Sequence, residues 1–168
     1  MKLPLILILN LSFFTKGLSQ SENNTLFDFW VGHWECTWKL GESEGKGINT
    51  IVKILDGKVI QEFFKAKEGS IAGFDGTSIS VYNPTTKSWH QAWADNQGGY
   101  INLIGQVDGD KRIFITPHPK INASGDKMIN RMVFHDITHK NFIWDWEYST
   151  DEGKTWTLSW RIFYTRIE

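Results

Sequence analysis

Residues 142–164 read FIWDWEYSTDEGKTWTLSWRIFY, and their pattern is the clearest indication of the fold class. On both sides of the polar run at 149–155, large apolar side chains occupy alternate positions, which is the period of a β-strand. The pattern predicts a hairpin with one apolar face, built from four facing pairs: Tyr148 and Trp156, Trp146 and Leu158, Trp144 and Trp160, and Phe142 and Ile162. The opposite face is polar and brings Arg161 close to Asp145.

The turn of this hairpin spells S-x-D-x-G-x-T-W and resembles the Asp box of sialidase β-propellers. A sialidase needs several copies of the box, an arginine cluster and a tyrosine nucleophile with a partner acid. This chain has one copy and four arginines, and its 168 residues are too few for a propeller. We therefore interpret the box as a turn in which Ser149 and Asp151 accept backbone N–H bonds, Gly153 adopts a positive φ, and Trp156 covers the loop.

The rest of the chain repeats this pattern of short apolar runs separated by clusters of Gly, Asn, Asp and Pro. We predict one strand from Trp34 onward, and further strands near 46–55, 58–67, 71–82, 88–95, 99–107, 111–116, 127–136, 141–149 and 155–166. About ten consecutive strands leave open edges unless the sheet closes. The expected fold is an all-β, single antiparallel up-and-down barrel over residues 26–168, with a short helical turn at 26–31.

The composition limits the partners of the protein. Nine Trp and eleven Phe are many for a chain of this length, so the fold needs large, rigid side chains. The net charge of −1 comes from 18 basic and 19 acidic residues spread along the chain. This distribution offers no basic surface and argues against nucleic acid as a partner. The single cysteine, Cys36, cannot form an intramolecular disulfide and is expected to be a small buried side chain.

The first 19 residues, MKLPLILILNLSFFTKGLS, have the layout of a secretory signal peptide. Lys2 precedes an apolar run at 3–14, and small residues follow up to Ser19. About twelve apolar residues, interrupted by Asn10, are too few for the roughly twenty that a membrane-spanning helix requires. We predict export to the periplasm or secretion, cleavage after Ser19, and no integral membrane segment after cleavage.

Three stretches carry a family resemblance: FDFWVGHWECTW at 27–38, GTSISVYNPTTKSWHQAWADNQGGY at 76–100, and FIWDWEYSTDEGKTW at 142–156. Together they resemble the mostly bacterial family catalogued as domain of unknown function 1579, and the likeness spans most of residues 26–166. Within the first stretch, Gly32-His33-Trp34 is similar to the G-x-W that opens lipocalins and related calycin barrels. The resemblance implies an aromatic-rich, lipocalin-like barrel and leaves the activity open.

Related barrels that hold haem or a fatty acid differ from this chain at the residues that bind those ligands. Nitrobindin-like haem barrels have a late proximal histidine, and none of the five histidines here has a matching context. No histidine pair has metal-ligand spacing, since His135 and His139 are separated by a turn. We therefore expect neither a metal nor a cofactor. Fatty-acid-binding barrels have Arg-x-Tyr on the last strand, and here the order is reversed in Tyr164-Thr165-Arg166.

A second predicted hairpin, at 76–95, has the mixed character of a ligand cavity. With Tyr82 opposite Trp89, one face collects aromatic and hydrogen-bonding side chains, namely Ser78, Ser80, Tyr82, Trp89, Gln91, Trp93 and Asp95. Apolar walls with a few polar groups are typical of binding sites for small molecules. The alternative is an outer surface on which Trp89 and Trp93 shield the barrel.

Two charged residues, Glu62 and Arg131, lie within strongly apolar predicted strands. A buried charge without a partner is costly. If they point inward, Glu62 and Arg131 are expected to meet across the cavity or to bind a polar part of a ligand. The alternative is that each side chain points to solvent, because strand alternation allows both directions.

These patterns favour noncovalent binding of a small, partly apolar or aromatic molecule by a monomeric or homodimeric protein. The candidate ligand-binding residues are Glu62, Ser80, Gln91, Trp93, Asp95, Arg131, Trp144, Trp146, Trp160 and Tyr164. No nucleophile elbow occurs, so an enzymatic alternative would depend on Glu62 or Asp95 as an enclosed acid or base. A third alternative is a protein-interaction module, which predicts a filled barrel and a contiguous apolar patch outside.

Overall fold

A computed structural model describes residues 23–121 and 125–167 of the chain. A single 3₁₀ turn, Asp28–Trp30, precedes the strands. The strands are β1 (Gly32–Leu40), β2 (Ser43–Ile54), β3 (Val59–Glu68), β4 (Asp75–Asn83), β5 (Ser88–Asp95), β6 (Tyr100–Asp108), β7 (Lys111–Ile115), β8 (Lys120–Ile121), β9 (Lys127–His135), β10 (Asn141–Ser149) and β11 (Thr157–Arg166).

The strands form a closed antiparallel barrel of ten strands with one extra strand, which confirms the predicted fold class. Strands β1 to β7 pair in sequence order, and β7 pairs with β9. The ring then closes through β10, which pairs with β9 and β11, and through β11, which pairs with β1. Among the described residues, the extra strand β8 pairs with the beginning of β9. Two residues are too short to show alternation, so β8 was not predicted. The arrangement is consistent with a lipocalin-like barrel, and closure removes the long open edges of a ten-strand sheet.

The predicted signal peptide, residues 1–19, lies outside the described residues. Within the described ranges, no helix is both long enough and apolar enough to cross a membrane.

The Asp-box segment forms the predicted turn. The Ser149 hydroxyl accepts from the backbone N–H of Asp151 at 3.3 Å and of Gly153 at 2.9 Å. Asp151 accepts from the backbone N–H and the hydroxyl of Thr155, at 2.9 and 2.7 Å. The Ser149 hydroxyl also donates to the Asp151 carboxylate, at 2.7 Å. The bonds from Thr155, and after them the bond from Ser149, lower the pKa of Asp151 well below its ordinary value. Gly153 has a φ of +86°. The Trp156 indole N–H donates to the Gly153 carbonyl and closes the loop.

The register of this hairpin differs from the prediction. Trp146 faces Trp160, Trp144 faces Ile162 and Phe142 faces Tyr164, which is a shift of two residues from the predicted pairs. A bulge between Trp146 and Glu147 places Leu158 opposite Glu147, where it is 46% exposed, and Tyr148 faces Thr157 instead of Trp156. The turn is longer than predicted because Asp151 binds Thr155 and the Trp156 indole binds the Gly153 carbonyl. These bonds keep Trp156 in the loop instead of in β11. A shift of two preserves the strand faces, so most of the apolar face survives.

One end of the barrel is filled by residues 27–31, which we call the N-terminal plug. Phe27 is fully buried and stacks on Phe114 with ring centroids 4.3 Å apart, and Trp30 packs edge-on against Phe134 at 5.3 Å. Phe29 contacts Phe142 near the start of β10. The predicted helical turn is therefore present, and its rings fill the adjacent half of the lumen against the buried side chains of Phe114, Phe134 and Phe142.

Arg166, the last residue of β11, binds the N-terminal plug. Its guanidinium lies 4.0 Å over the Trp34 ring and donates to the carbonyl oxygens of Val31 at 2.9 Å and Phe29 at 3.1 Å. Gly32 has a φ of +147°, and a Cβ at this position would overlap the Arg166 guanidinium. The Gly-x-Trp sequence and Arg166 thus form one structural unit, and Arg166 is committed to the plug.

Candidate functional site

The other half of the barrel contains a cavity of about 200 Å³. Four indoles belong to its wall, those of Trp93, Trp144, Trp146 and Trp160. Further apolar wall is supplied by Phe64, Phe74, Ile101, Met132 and Ile162. The cavity lies towards the β3–β4, β5–β6 and β10–β11 connections, opposite the plug. All four indoles are partly exposed, so solvent reaches the cavity from this end.

Glu62 lies at the inner end of the cavity and is 5% exposed. Its Oε1 accepts from Asn49 Nδ2 at 2.7 Å, and its Oε2 accepts from the Ser78 hydroxyl at 2.6 Å. Asn49 Nδ2 also donates to the Tyr164 hydroxyl at 3.2 Å. Gln91 Nε2 extends the network by donating to the hydroxyls of Ser78 at 3.3 Å and Ser80 at 3.0 Å.

This network satisfies a carboxyl group that would otherwise be costly to bury. Burial raises the pKa of Glu62 from 4.5 to about 7, although the bonds from Ser78 and Asn49 act in the opposite direction. Near neutral pH the carboxyl is therefore present both protonated and ionised. Burial likewise raises the pKa of Tyr164 and of Cys36, so the phenol and the thiol beside Glu62 are uncharged at neutral pH.

Asp95 stands at the outer rim of the cavity. It accepts from the backbone N–H groups of Gly99 at 2.8 Å and Gln97 at 3.0 Å, and from the Trp93 indole at 3.1 Å. Desolvation raises the pKa of Asp95, but these hydrogen bonds outweigh it and the net shift is downward. Asp95 is therefore ionised at neutral pH and fixes the orientation of one wall indole.

The Trp160 indole N–H is buried and has no hydrogen-bond partner within 23–121 and 125–167. Most buried polar groups are paired. Trp160 belongs to the cavity wall, while its N–H is covered by neighbouring atoms of the described structure.

The β4–β5 hairpin has the predicted register, with Tyr82 facing Trp89. Its predicted mixed face points inward, because Ser78, Ser80 and Gln91 are buried, whereas Ile79 on the other face is 48% exposed. The alternative in which Trp89 and Trp93 shield the outside is wrong.

The structure brings seven of the ten candidate residues into the cavity wall, namely Glu62, Trp93, Asp95, Trp144, Trp146, Trp160 and Tyr164. Ser80 and Gln91 are buried next to the Glu62 network but outside the wall. They are in a position to support the carboxyl group rather than to touch a ligand.

Arg131 is the one candidate that the structure places outside the barrel. Its Nε donates to Glu147 Oε2 at 2.6 Å, and its guanidinium lies 3.8 Å over the Trp156 ring. The neighbouring Met132 takes the inward position. The prediction that Arg131 meets Glu62 or a ligand in the cavity is therefore wrong, because the partner it needs stands directly opposite on β10.

A second ion pair lies on the outer face of the barrel. Arg161 donates to both oxygens of Asp145 at 2.7 and 2.6 Å, as the hairpin pattern predicted. His135 adds a contact to Asp145 Oδ2 at 3.1 Å. Desolvation raises the pKa of Asp145, but Arg161 and His135 together lower it from its ordinary value. These charges stabilise the outer face of β9, β10 and β11.

Several residues of the site were missed by the sequence analysis. Asn49, which binds the Glu62 carboxylate, lies in a strand whose inward positions run Gly45, Gly47, Asn49 and Ile51, all of them buried. The signal was present, since an amide among apolar and small inward residues needs a buried partner. Strand alternation also could have predicted Phe64 and Met132, which lie on the inward faces of β3 and β9.

No protein-family model matches this sequence, and no curated protein matches it either. Within the described ranges, no group of three or more His, Cys, Asp or Glu side chains is arranged to hold a metal ion. The family resemblance stays a prediction, and the function has to be inferred from the cavity.

Proposed function

We propose that the protein is an exported carrier that holds a small, partly apolar or aromatic molecule noncovalently in the open half of its barrel. The observation that carries the proposal is the cavity, whose wall combines four indoles with the buried carboxyl of Glu62. Binding sites for small molecules have this composition, with apolar walls and a few polar groups that set the orientation. A closed barrel is compatible with this role.

The volume of the cavity limits the size of the ligand. A cavity of roughly 150 Å³ accommodates benzene, and drug-sized ligands occupy roughly 300–1,000 Å³. At about 200 Å³, the cavity suits a molecule of one or two rings. A long acyl chain is too large, in agreement with the commitment of Arg166 to the plug.

Export is supported by the signal-peptide layout of residues 1–19. Mass spectrometry of the protein recovered from its source is expected to give a mature chain that begins at Gln20. A chain that retains its first residues in the cell interior would contradict export and would leave the binding proposal standing.

The binding proposal is tested by native mass spectrometry of the same material. A reproducible extra mass identifies the ligand class, and tryptophan fluorescence with a panel of one- and two-ring compounds provides affinities. Trp160→Leu changes the cavity wall and is expected to weaken binding at least about tenfold. The matched control is Trp156→Leu, which removes an indole from the outer surface and is expected to leave affinity unchanged. Equal losses in both variants, or no ligand at all, would contradict the proposal.

A second candidate function is catalysis with Glu62 as acid or base, since its pKa of about 7 suits proton transfer near neutral pH. Asp95 is less suited because its carboxylate stays ionised. Turnover that Glu62→Gln abolishes while ligand binding persists would favour this candidate. The interaction-module alternative predicted a filled barrel, and the cavity argues against it.

A further inference from the structure

The charged residues in the described cavity wall are both acidic. Glu62 stands at the inner end and Asp95 at the rim. Among the residues that line the cavity in the described ranges, none is Lys, Arg or His. Three of the four arginines have partners elsewhere: Arg131 and Arg161 are paired on the outer face, and Arg166 is bound to the plug. An anionic ligand would therefore meet two carboxyl groups and no cation.

Three of the indoles in the cavity wall pack closely against one another. Trp144 and Trp146 are nearly parallel, with 8° between their planes and 6.3 Å between their centroids. Trp160 stands almost perpendicular to Trp144, at 83° and 5.6 Å. The faces of aromatic rings carry negative potential and attract cations, most strongly for Trp. Because all three rings belong to the cavity wall, a ligand in the cavity lies next to more than one indole.

We infer that the cavity selects a small organic cation, an alkyl- or aryl-ammonium ion whose nitrogen lies among the indoles of Trp144, Trp146 and Trp160 and is attracted by the Glu62 carboxyl. This inference rests on the proposed binding function and narrows it. The apolar part of the cation is covered by the remaining wall, for which Phe64, Phe74 and Met132 are available. Solvent access at the open end allows the ligand to enter.

The Glu62 carboxyl makes the selection dependent on pH. Its ionised form attracts a cation and its protonated form does not, so affinity is expected to rise with pH through the region around 7. The other ionisable groups near Glu62 do not change charge in this range. Tyr164 and Cys36 are held neutral by burial, and Asp95 is held ionised by its hydrogen bonds.

The test compares three probes of similar size on the intact protein: phenyltrimethylammonium, its uncharged isostere tert-butylbenzene, and benzoate. Tryptophan fluorescence and calorimetry measure the affinities. The cation is expected to bind at least about tenfold tighter than the neutral isostere, which corresponds to the attraction of a desolvated cation by Trp. Benzoate is expected to bind more weakly than either.

Two variants assign the preference to named groups. Glu62→Gln keeps the size and hydrogen-bonding capacity of the side chain, and it is expected to reduce cation affinity about tenfold, to leave tert-butylbenzene unchanged and to remove the pH dependence. Trp144→Phe retains a ring with a weaker attraction for cations and is expected to lower cation affinity alone. Glu147→Gln, which changes an acid on the outer face, is the control and is expected to alter none of these affinities.

The outcomes separate this inference from the binding proposal. Equal affinity for the cation and its neutral isostere, or a preference for benzoate, overturns the cation inference and leaves a carrier of neutral or anionic molecules. Failure of all three probes to bind counts against both.

Discussion

The two halves of this barrel are built from the same kinds of side chain and differ in what fills them. In the closed half, Phe27, Trp34 and Phe134 are entirely buried; Phe27 packs edge-on against Phe134, and Trp34 packs edge-on against Phe142. In the open half, Trp146 and Trp160 are partly exposed and surround empty space. Abundant aromatic residues therefore do not by themselves produce either a packed core or a cavity.

What separates the halves is the N-terminal plug. It adds the rings of Phe27, Phe29 and Trp30 to one end of the lumen, and the Arg166 guanidinium and an ion pair between Lys53 and Asp28 at 2.7 Å hold it there. Large rigid rings pack to native density only when a filler of matching shape occupies the gaps between them. The described chain supplies such a segment at one end and leaves the other end accessible.

The largest expected effect is on the closed half. Phe27→Ala removes a fully buried ring stacked on Phe114 and is expected to lower the free energy of unfolding by about 3–5 kcal/mol. Trp146→Ala, in the open half, is expected to cost about half as much because its ring borders solvent-accessible space. Denaturant unfolding of both variants measures the difference. Equal losses would show that the two halves are packed alike.

The next effect belongs to the open half and concerns pH. Folding raises the pKa of Glu62 from 4.5 to about 7, so between these values the native state binds more protons than the unfolded state. Stability is therefore expected to fall as pH rises from about 4.5 to about 7, by about 3 kcal/mol in total. Unfolding measured across this range in the protein and in Glu62→Gln checks the sign. The variant should lack this component, and an identical pH profile in both proteins would contradict the burial of the acid.

A smaller loss of stability is expected when the contacts between Arg166 and the plug are removed. Arg166→Met preserves the apolar stem over Trp34 and removes the hydrogen bonds to Val31 and Phe29. We expect a loss of about 2 kcal/mol and faster amide hydrogen exchange around residues 28–31. Exchange that stays slow in the plug would mean that its rings alone hold it in place.

The smallest effect is expected on the outer face. Arg131→Met breaks the pair with Glu147 and the contact with Trp156, at a cost of about 1 kcal/mol because the pair is near the surface. Ligand affinity should not change, which calorimetry with any bound probe can establish. A loss of affinity would argue that Arg131 communicates with the cavity.

Much of the fold was predictable because strand alternation is a local property. The sequence predicted ten strands and the two faces of the β4–β5 hairpin, without deciding which face points inward, and Trp144, Trp146 and Trp160 followed from the same period. The facing pairs of β10 and β11 were mispredicted because the side chains of Ser149 and Asp151 lengthen the turn and a bulge shifts the register. Alternation also left the direction of Arg131 open, since Met132 and Val133 are both apolar.

Local patterning was enough to predict a curled all-β sheet with one aromatic face, because period-two alternation and turn residues act between near neighbours along the chain. The folded structure was needed to show which half of the lumen is filled, that Glu62 meets Asn49 and Ser78, and that Arg131 faces outward to Glu147. These outcomes depend on side chains brought together from distant strands, and a space between rings exists only when the positions of all the surrounding rings are known.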